Sequence, residues 1–466
     1  MKLEQTKPGI WEFQEKDMPV PGRIFANETI INTVEQGVID QVKNVSKLPG
    51  IKKASMVMPD AHYGYGFPIG GVAAFDLEDG VISPGGVGYD INCGVRLLTT
   101  NLKAEEVRKK LKEVIDKLFK AVPSGVGSKG RMNVNEGELR EICETGSKWA
   151  ILNGYGVEED LEHTEENGCI FGADSGKVFS RAIQRGKPQL GTLGSGNHFL
   201  EVQEVEQVFD KDVAEKFGLV PGNAAVMIHC GSRGMGYQIA DDYIAVMLNA
   251  SKKYGIDLPD RQLACAPLQS QEATDYVCAM NCGVNYAFCN RQIITHWVRE
   301  TFKELFKDAE LKLLYDVCHN VAKFEDHGER LCVHRKGATR AFPAGSEGMP
   351  KIYKKTGHPV IIPGDMGTAS YVLVGTENAM EETFGSTCHG AGRVMSRKAA
   401  TEKHDGMAVI KRLESRGQVV RAASPKVLAE EASEAYKDID DVIKSVELPG
   451  ISRKIVRLKP MGVAKG

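Results

Sequence analysis

The sequence predicts an α+β fold, one large body of mixed β-sheets with surrounding helices and glycine-rich loops. Three observations lead there. Strand-like apolar runs and helix-periodic stretches come in irregular groups, with no sustained βαβ alternation, heptad or internal repeat. No Pro/Ser-rich linker divides the 466 residues, so 1–466 reads as a single domain with 1–50 as a lead-in segment. The 50 glycines gather at 64–72, 85–94, 125–130, 191–196, 231–236, 364–367 and 385–392, each time beside polar or titratable residues. Glycine allows tight turns and close backbone approach, so this is the pattern of many sharp loops converging on chemistry.

Taken in order, a helix is expected over Glu28–Val45, closed by Pro49-Gly50. Short strands Ala54–Pro59 and Gly71–Leu77 flank a polar loop, Asp60-Ala61-His62-Tyr63-Gly64-Tyr65-Gly66. Val107, Leu111, Val114, Ile115, Leu118 and Val122 recur at three- and four-residue steps, one face of a helix over Ala104–Val122. Further helical patterns fill 136–186. His198–Val205 and Ala224–His229 read as strands, and 236–254 and 271–307 as helices, with Cys278, Cys282 and Cys289 on helical steps as core filler. Leu313–Val317, Val360–Ile362 and Tyr371–Val374 follow as strands, Val333–Arg340 as a basic strand or loop, and Gly390–Lys403 as a helix.

Composition narrows the partners. A net charge of −3 supplies no global field for nucleic acid, so such a partner needs a local patch. No run approaches the roughly 18 apolar residues of a membrane span, and the first residues lack an apolar leader core. Eleven cysteines without a C-x-x-C pair suit reduced thiols in the cytoplasm.

The chemistry starts at Gly85–Arg96, GGVGYDINCGVR, where Asp90 and Cys93 stand three residues apart between glycines. Three strand-to-loop junctions each deliver one histidine: His198 after GSGN, His229 before CGSRG, and His319 in DVCHN. One such histidine is commonly only a half-buried ring with its hydrogen bonds satisfied. Three of them with a carboxylate and a thiol could close around one or two divalent ions, and the donor types alone suggest zinc. At a fourth junction, STCHGAGR, His389 precedes the expected helix carrying Arg393 and Arg397, a setting for phosphate and for a nucleophilic imidazole. Eight basic residues face three acidic ones between Arg393 and Ser424, and Arg335, Lys336, Arg340 and the basic tail add to a local patch. Two short matches carry little. Gly125–Gly130 fits G-x-G-x-x-G but follows a helix rather than a strand, and KHDG at Lys403 has the four letters of a lysine-nucleophile nucleotidyltransferase with no companion motif.

Together GGVGYDINCGVR, GTLGSGNHFLE, IHCGSRG, YDVCHN, VHRKGATRA, PGDMGTASYVL, TCHGAGR, EEASEAYKD and the terminal Lys465-Gly466 resemble the RtcB family of RNA-splicing ligases, in the same order and from about residue 55 to the end. The resemblance implies an RtcB-like catalytic domain that uses GTP and Mn²⁺ to join an RNA 3′-phosphate or 2′,3′-cyclic phosphate to a 5′-hydroxyl, in tRNA splicing or RNA repair. It implies two manganese ions, against the zinc that donor type suggests, on Asp90, Cys93, His198, His229 and His319, with Cys93 bridging. It implies that His389 takes GMP as a phosphoramidate, that Asn197, Glu201, Ser370, Tyr436 and Lys465 contact the guanylate, and that Arg233, Lys336, Arg393 and Arg397 handle phosphate or RNA. Some relatives need an archease-type activating partner. Two other readings use the same residues: a metal-dependent phosphatase or cyclic phosphodiesterase needing no nucleotide, and a non-catalytic RNA-binding protein.

Overall fold

The computed structural model describes residues 2–466, an α+β arrangement of two large, mostly antiparallel sheets with helices packed outside them. One sheet has the strand order Glu4–Lys7, Ile10–Phe13, Gly22–Phe25, Ile51–His62, Ile69–Asp76, Arg330–Lys336, Asn320–Asp326. The other runs Leu311–Cys318, Gly94–Lys103, Asn223–Cys230, Phe199–Val208, Ser452–Lys465, Ser370–Gly375, Pro359–Ile362, with Val419–Ala422 parallel to Ser452–Lys465. In the second sheet the pleat sends alternate apolar side chains to opposite faces. Leu98, Leu200 and Ile228 pack with the helices, whereas Val95, Leu97 and Met227 join Ile361, Val372 and Leu458 on the other side. No helix among the described residues is long and apolar enough to cross a membrane.

Most expected elements appear, with informative corrections. The Glu28–Val45 helix is two, Glu28–Ile31 and Gln36–Val45. Between them the Asn32 amide and Thr33 hydroxyl bond back to the carbonyls of Glu28 and Ile30, offering the backbone an alternative to helix. The Ala104–Val122 helix breaks at Lys110 (φ −117°, ψ 12°), though Val107, Leu111, Val114, Ile115 and Leu118 do form one buried stripe. The helix expected from Gly390 starts only at Arg397 and ends at Lys403. Residues 390–396 are a loop, with Gly392 at φ +72°, so His389 does not lie at a helix N-terminus.

The helix Gln271–Leu305 is 35 residues long and buried through most of its length. Its fully buried polar residues act as struts. Asn290 accepts from the backbone N–H groups of Gly191 and Thr192 and donates to the Thr192 carbonyl. The Arg291 guanidinium donates to Asp316 and to the carbonyls of Asn92 and Cys230, tying three candidate site segments to one helix. All eleven cysteines are free, and Cys282 and Cys289 are core residues.

Candidate active site

Four neighbouring strands of the second sheet end at the same edge, and each delivers one donor. Cys93 precedes Gly94–Lys103, His198 precedes Phe199–Val208, His229 is the penultimate residue of Asn223–Cys230, and His319 follows Leu311–Cys318. The register Cys318–Gly94–Cys230, with His229 opposite both Val95 and Phe199, brings them together. Cys93 Sγ lies 3.2 Å from His229 Nε2 and 3.4 Å from His198 Nε2. The Nε2 atoms of His229 and His319 are 3.2 Å apart, and Asp90 Oδ2 is 2.9 Å from His198 Nε2. The donors therefore form two overlapping triads, Asp90–Cys93–His198 and Cys93–His229–His319, each with its ligand atoms within 4.8 Å of one another.

This set fits a pair of divalent cations. Nδ1 of His198 donates to the Leu193 carbonyl at 3.0 Å, which turns its Nε2 lone pair inward. Burial first, then neighbouring imidazoles, holds His229 and His319 well below the usual histidine range. Burial and the Asp90 carboxylate push the Cys93 thiol up to about 12. An uncharged imidazole keeps one ring proton; with that proton on Nδ1, the facing Nε2 atoms of His229 and His319, 3.2 Å apart, can both offer lone pairs to a cation. Close approach here requires glycine. A Cβ on Gly231 would stand 2.4 Å from the Asp90 carboxylate oxygens, and one on Gly194 (φ +94°) would stand 2.6 Å from His198 Nδ1.

His389 follows the short strand Ser386–Cys388, and its ring centroid lies 4.8 Å from that of His319. Its Nδ1 donates to Asp60 Oδ2 at 2.5 Å, and the same oxygen accepts from the backbone N–H of His389 (2.9 Å) and of Gly390 (3.2 Å). Asp60 is fully buried at the end of the strand Ile51–His62, which runs further than expected and turns the supposed loop into a rigid support. The buried Lys437 ammonium bonds the Pro59 and Ala61 carbonyls on either side, and burial brings it down to about 8. With Nδ1 committed to Asp60, the Nε2 lone pair of His389 is the free one.

Beside this histidine opens a cavity of about 230 Å³ whose wall includes Cys93, His229 and His319 together with Asn197, Glu201, Arg393, Arg397, Tyr436 and Lys465. Glu201 accepts from Gln203 Nε2 at 2.6 Å, and its carboxyl is pushed up to about 8, chiefly by burial. Lys465 and Tyr436 both reach Glu431, at 3.2 and 2.5 Å, and Arg393 donates to the same carboxylate at 3.0 Å. Ser370 lies behind the wall, bonded to Gln203 and the Gly364 N–H rather than open to the cavity. Arg233 sits on the other side of the donor cluster, its Nε on Thr192 Oγ1.

Lys336, expected to handle phosphate or RNA, does not line the cavity. Its Nζ is buried on the carbonyls of Tyr65 and Phe67, and burial lowers it to about 7. The expected basic patch is also largely neutralised. Arg335 and Arg340 pair with buried Glu325, Arg412 with Glu434, Arg421 with Asp116, and Arg453 and Arg457 with Asp210 and Glu206. Exposed Lys403 does not line the cavity. Sequence reasoning passed over Asp60, Glu431 and Lys437, although all three stand in polar stretches that were otherwise noted, and left aside Asp365, which lines the cavity.

A family model described as "tRNA-splicing ligase RtcB" matches residues 41–466. A protein of that name from Archaeoglobus fulgidus is 57% identical over 468 aligned residues, covering 98% of this chain and 97% of the relative. One from Thermococcus kodakarensis is 55% identical with the same coverage, and one from Nanoarchaeum equitans is 47% identical over the whole of both chains. The family model covers the chain from residue 41 to its end and the relatives align with it end to end, so the chain belongs to the RtcB family of tRNA-splicing ligases.

Proposed function

We propose that the protein is a GTP- and Mn²⁺-dependent ligase that joins RNA 3′-phosphate or 2′,3′-cyclic phosphate ends to 5′-hydroxyl ends, in tRNA splicing or RNA repair. One observation carries this reading: His389, locked by Asp60, stands in the wall shared by the polar cavity and the donor cluster. Asp90, Cys93 and His198 would hold one Mn²⁺ and Cys93, His229 and His319 the other, supplying charge neutralisation at phosphate oxygens and activation of water.

In this reading the cavity holds the guanylate of GTP, with Asn197, Glu201, Tyr436 and Lys465 on it and Ser370 acting through Gln203. His389 Nε2 attacks the α-phosphorus; an N–P bond forms as the bond to pyrophosphate breaks. The imidazolium that results keeps its Nδ1 proton on Asp60, the charge a buried carboxylate stabilises. An oxygen of the RNA 3′-phosphate then attacks the same phosphorus, the N–P bond breaks, and the RNA end becomes a mixed anhydride with GMP. The 5′-hydroxyl oxygen attacks the RNA phosphorus, loses its proton and expels GMP, leaving a phosphodiester. A cyclic phosphate end must first be opened by water. Arg233, Arg393 and Arg397 hold phosphates in this scheme, while Lys336 supports the loop at Tyr65.

A 3′-phosphate RNA strand and a 5′-hydroxyl RNA strand incubated with enzyme, GTP and Mn²⁺ should give a joined product. A nucleotide-independent phosphatase would instead release inorganic phosphate without GTP, and that result would replace this reading.

A further inference from the structure

Beyond the cation centre, on the side away from His389, lies a second groove of about 370 Å³. Its wall includes Asp90 and His198, so it opens directly onto the first donor triad. Three arginines, Arg185, Arg233 and Arg397, line it, and Arg397 also borders the nucleotide cavity. Two tyrosines, Tyr89 and Tyr237, line it, and Tyr65 packs against Tyr89. Tyr89 and Tyr237 stack with centroids 4.6 Å apart and planes 21° from parallel, and Tyr65 meets Tyr89 edge-on at 5.4 Å. The Arg185 guanidinium lies 5.2 Å from the Tyr237 centroid. Tyr237 nevertheless keeps 45% of its surface in solvent.

An exposed aromatic ring next to guanidinium groups is the arrangement that holds single-stranded nucleic acid, because every base has a π-face and every link a phosphate. We propose that Tyr237, supported by Tyr89 and Tyr65, is a stacking platform for the terminal base of an RNA end whose terminal phosphate or hydroxyl lies at the Asp90 side of the cation centre. The proposal rests on the RNA-joining reading and adds the site that positions one strand. Charge sorts the groove. Asp90 and Asp241 lie near the rings. That end suits a base, whereas Arg185, Arg233 and Arg397 suit the phosphates. A base arriving on Tyr237 takes the place of the Arg185 guanidinium, which is then free for the adjoining phosphodiester.

The test uses the full chain with Mn²⁺ and two short RNAs, one with 2-aminopurine as the 3′-phosphorylated terminal nucleotide and one with it as the 5′-hydroxyl terminal nucleotide. Stacking quenches 2-aminopurine fluorescence, so the quenched probe identifies which end the platform holds. Tyr237→Ala should abolish that quenching and raise the KM of that strand about tenfold, the scale of one lost base–aromatic stack, while GMP transfer to His389 stays within twofold of the parent. Tyr237→Phe should restore both quenching and KM. The proposal is overturned if neither probe is quenched, if Tyr237→Ala quenches like the parent, or if Tyr237→Phe is as impaired as the alanine variant. The quenching experiment contains no GTP, so failure of GMP transfer in the parent enzyme would count against the ligase reading and leave the platform to be judged separately.

Discussion

The Nδ1–H of His389 points into a carboxylate, Asp60, that also collects the backbone N–H groups of His389 and Gly390 on the same oxygen. Three donors on one buried atom fix the ring, its tautomer and the loop that carries it. Asp60→Ala removes the acceptor for all three. GMP adduct formation is expected to fall by about 100-fold or more, within the range for losing an oriented acid–base partner. Mn²⁺ binding, measured by calorimetry, should change little. An adduct rate within threefold of the parent would show that Asp60 is only structural.

Cys93 is the atom the two donor triads share, 3.2 Å from one histidine and 3.4 Å from another. Cys93→Ala should therefore weaken both ion sites at once, whereas His319→Ala should weaken one. Calorimetric titration with Mn²⁺ checks this; two unchanged sites in Cys93→Ala would refute a shared thiolate.

Glu201 gives a pH dependence with a defined sign. Its carboxyl is raised from 4.5 to about 8, mainly by burial, so the folded protein holds a proton that the unfolded chain releases. Stability from this group is complete below about 4.5 and is lost as pH rises through about 8. Glu201→Gln, neutral at every pH, should lose less stability between pH 6 and pH 9 than the parent in urea titrations. Equal losses in the two proteins would contradict the assignment.

Asp316 sits fully buried between Arg96 and Arg291, with bonds of 2.7 Å to each. Arg291→Ala breaks this triad and releases the carbonyls of Asn92 and Cys230. Breaking a buried pair from one side costs about 3–5 kcal/mol, and urea denaturation should show a loss of that size. A loss below about 1 kcal/mol, the scale of an exposed pair, would mean the triad is dispensable.

How much of this was legible in the sequence depended on how plainly each residue announced its setting. The three strand-end histidines could be read because continuous apolar runs such as Ala224–His229 mark buried strands, and because glycines mark the turns after them. The strand Ser452–Lys465 could not. Its Arg453, Lys454, Arg457 and Lys459 read as a basic tail, and bulges at Arg457/Leu458 and Pro460/Gly462 interrupt the two-residue alternation. It is instead a central strand that carries Lys465 into the cavity, its charges met by Glu206 on the neighbouring strand and Asp210 just after it. Asp60 was hidden for another reason: its role depends on a partner 329 residues away, and nothing local distinguishes it from a turn aspartate. The helix expected over Gly390–Lys403 does not begin at Gly390, because Gly392 and the contacts of Arg393 with Glu431 and Tyr436 keep that segment irregular.

The most direct measurement is to incubate the enzyme with GTP labelled on the α-phosphate and Mn²⁺, digest it, and identify the modified residue by mass spectrometry. The account predicts one GMP on His389, abolished in His389→Ala and retained in Lys403→Ala. A label on Lys403, or an adduct that survives the loss of His389, would contradict it.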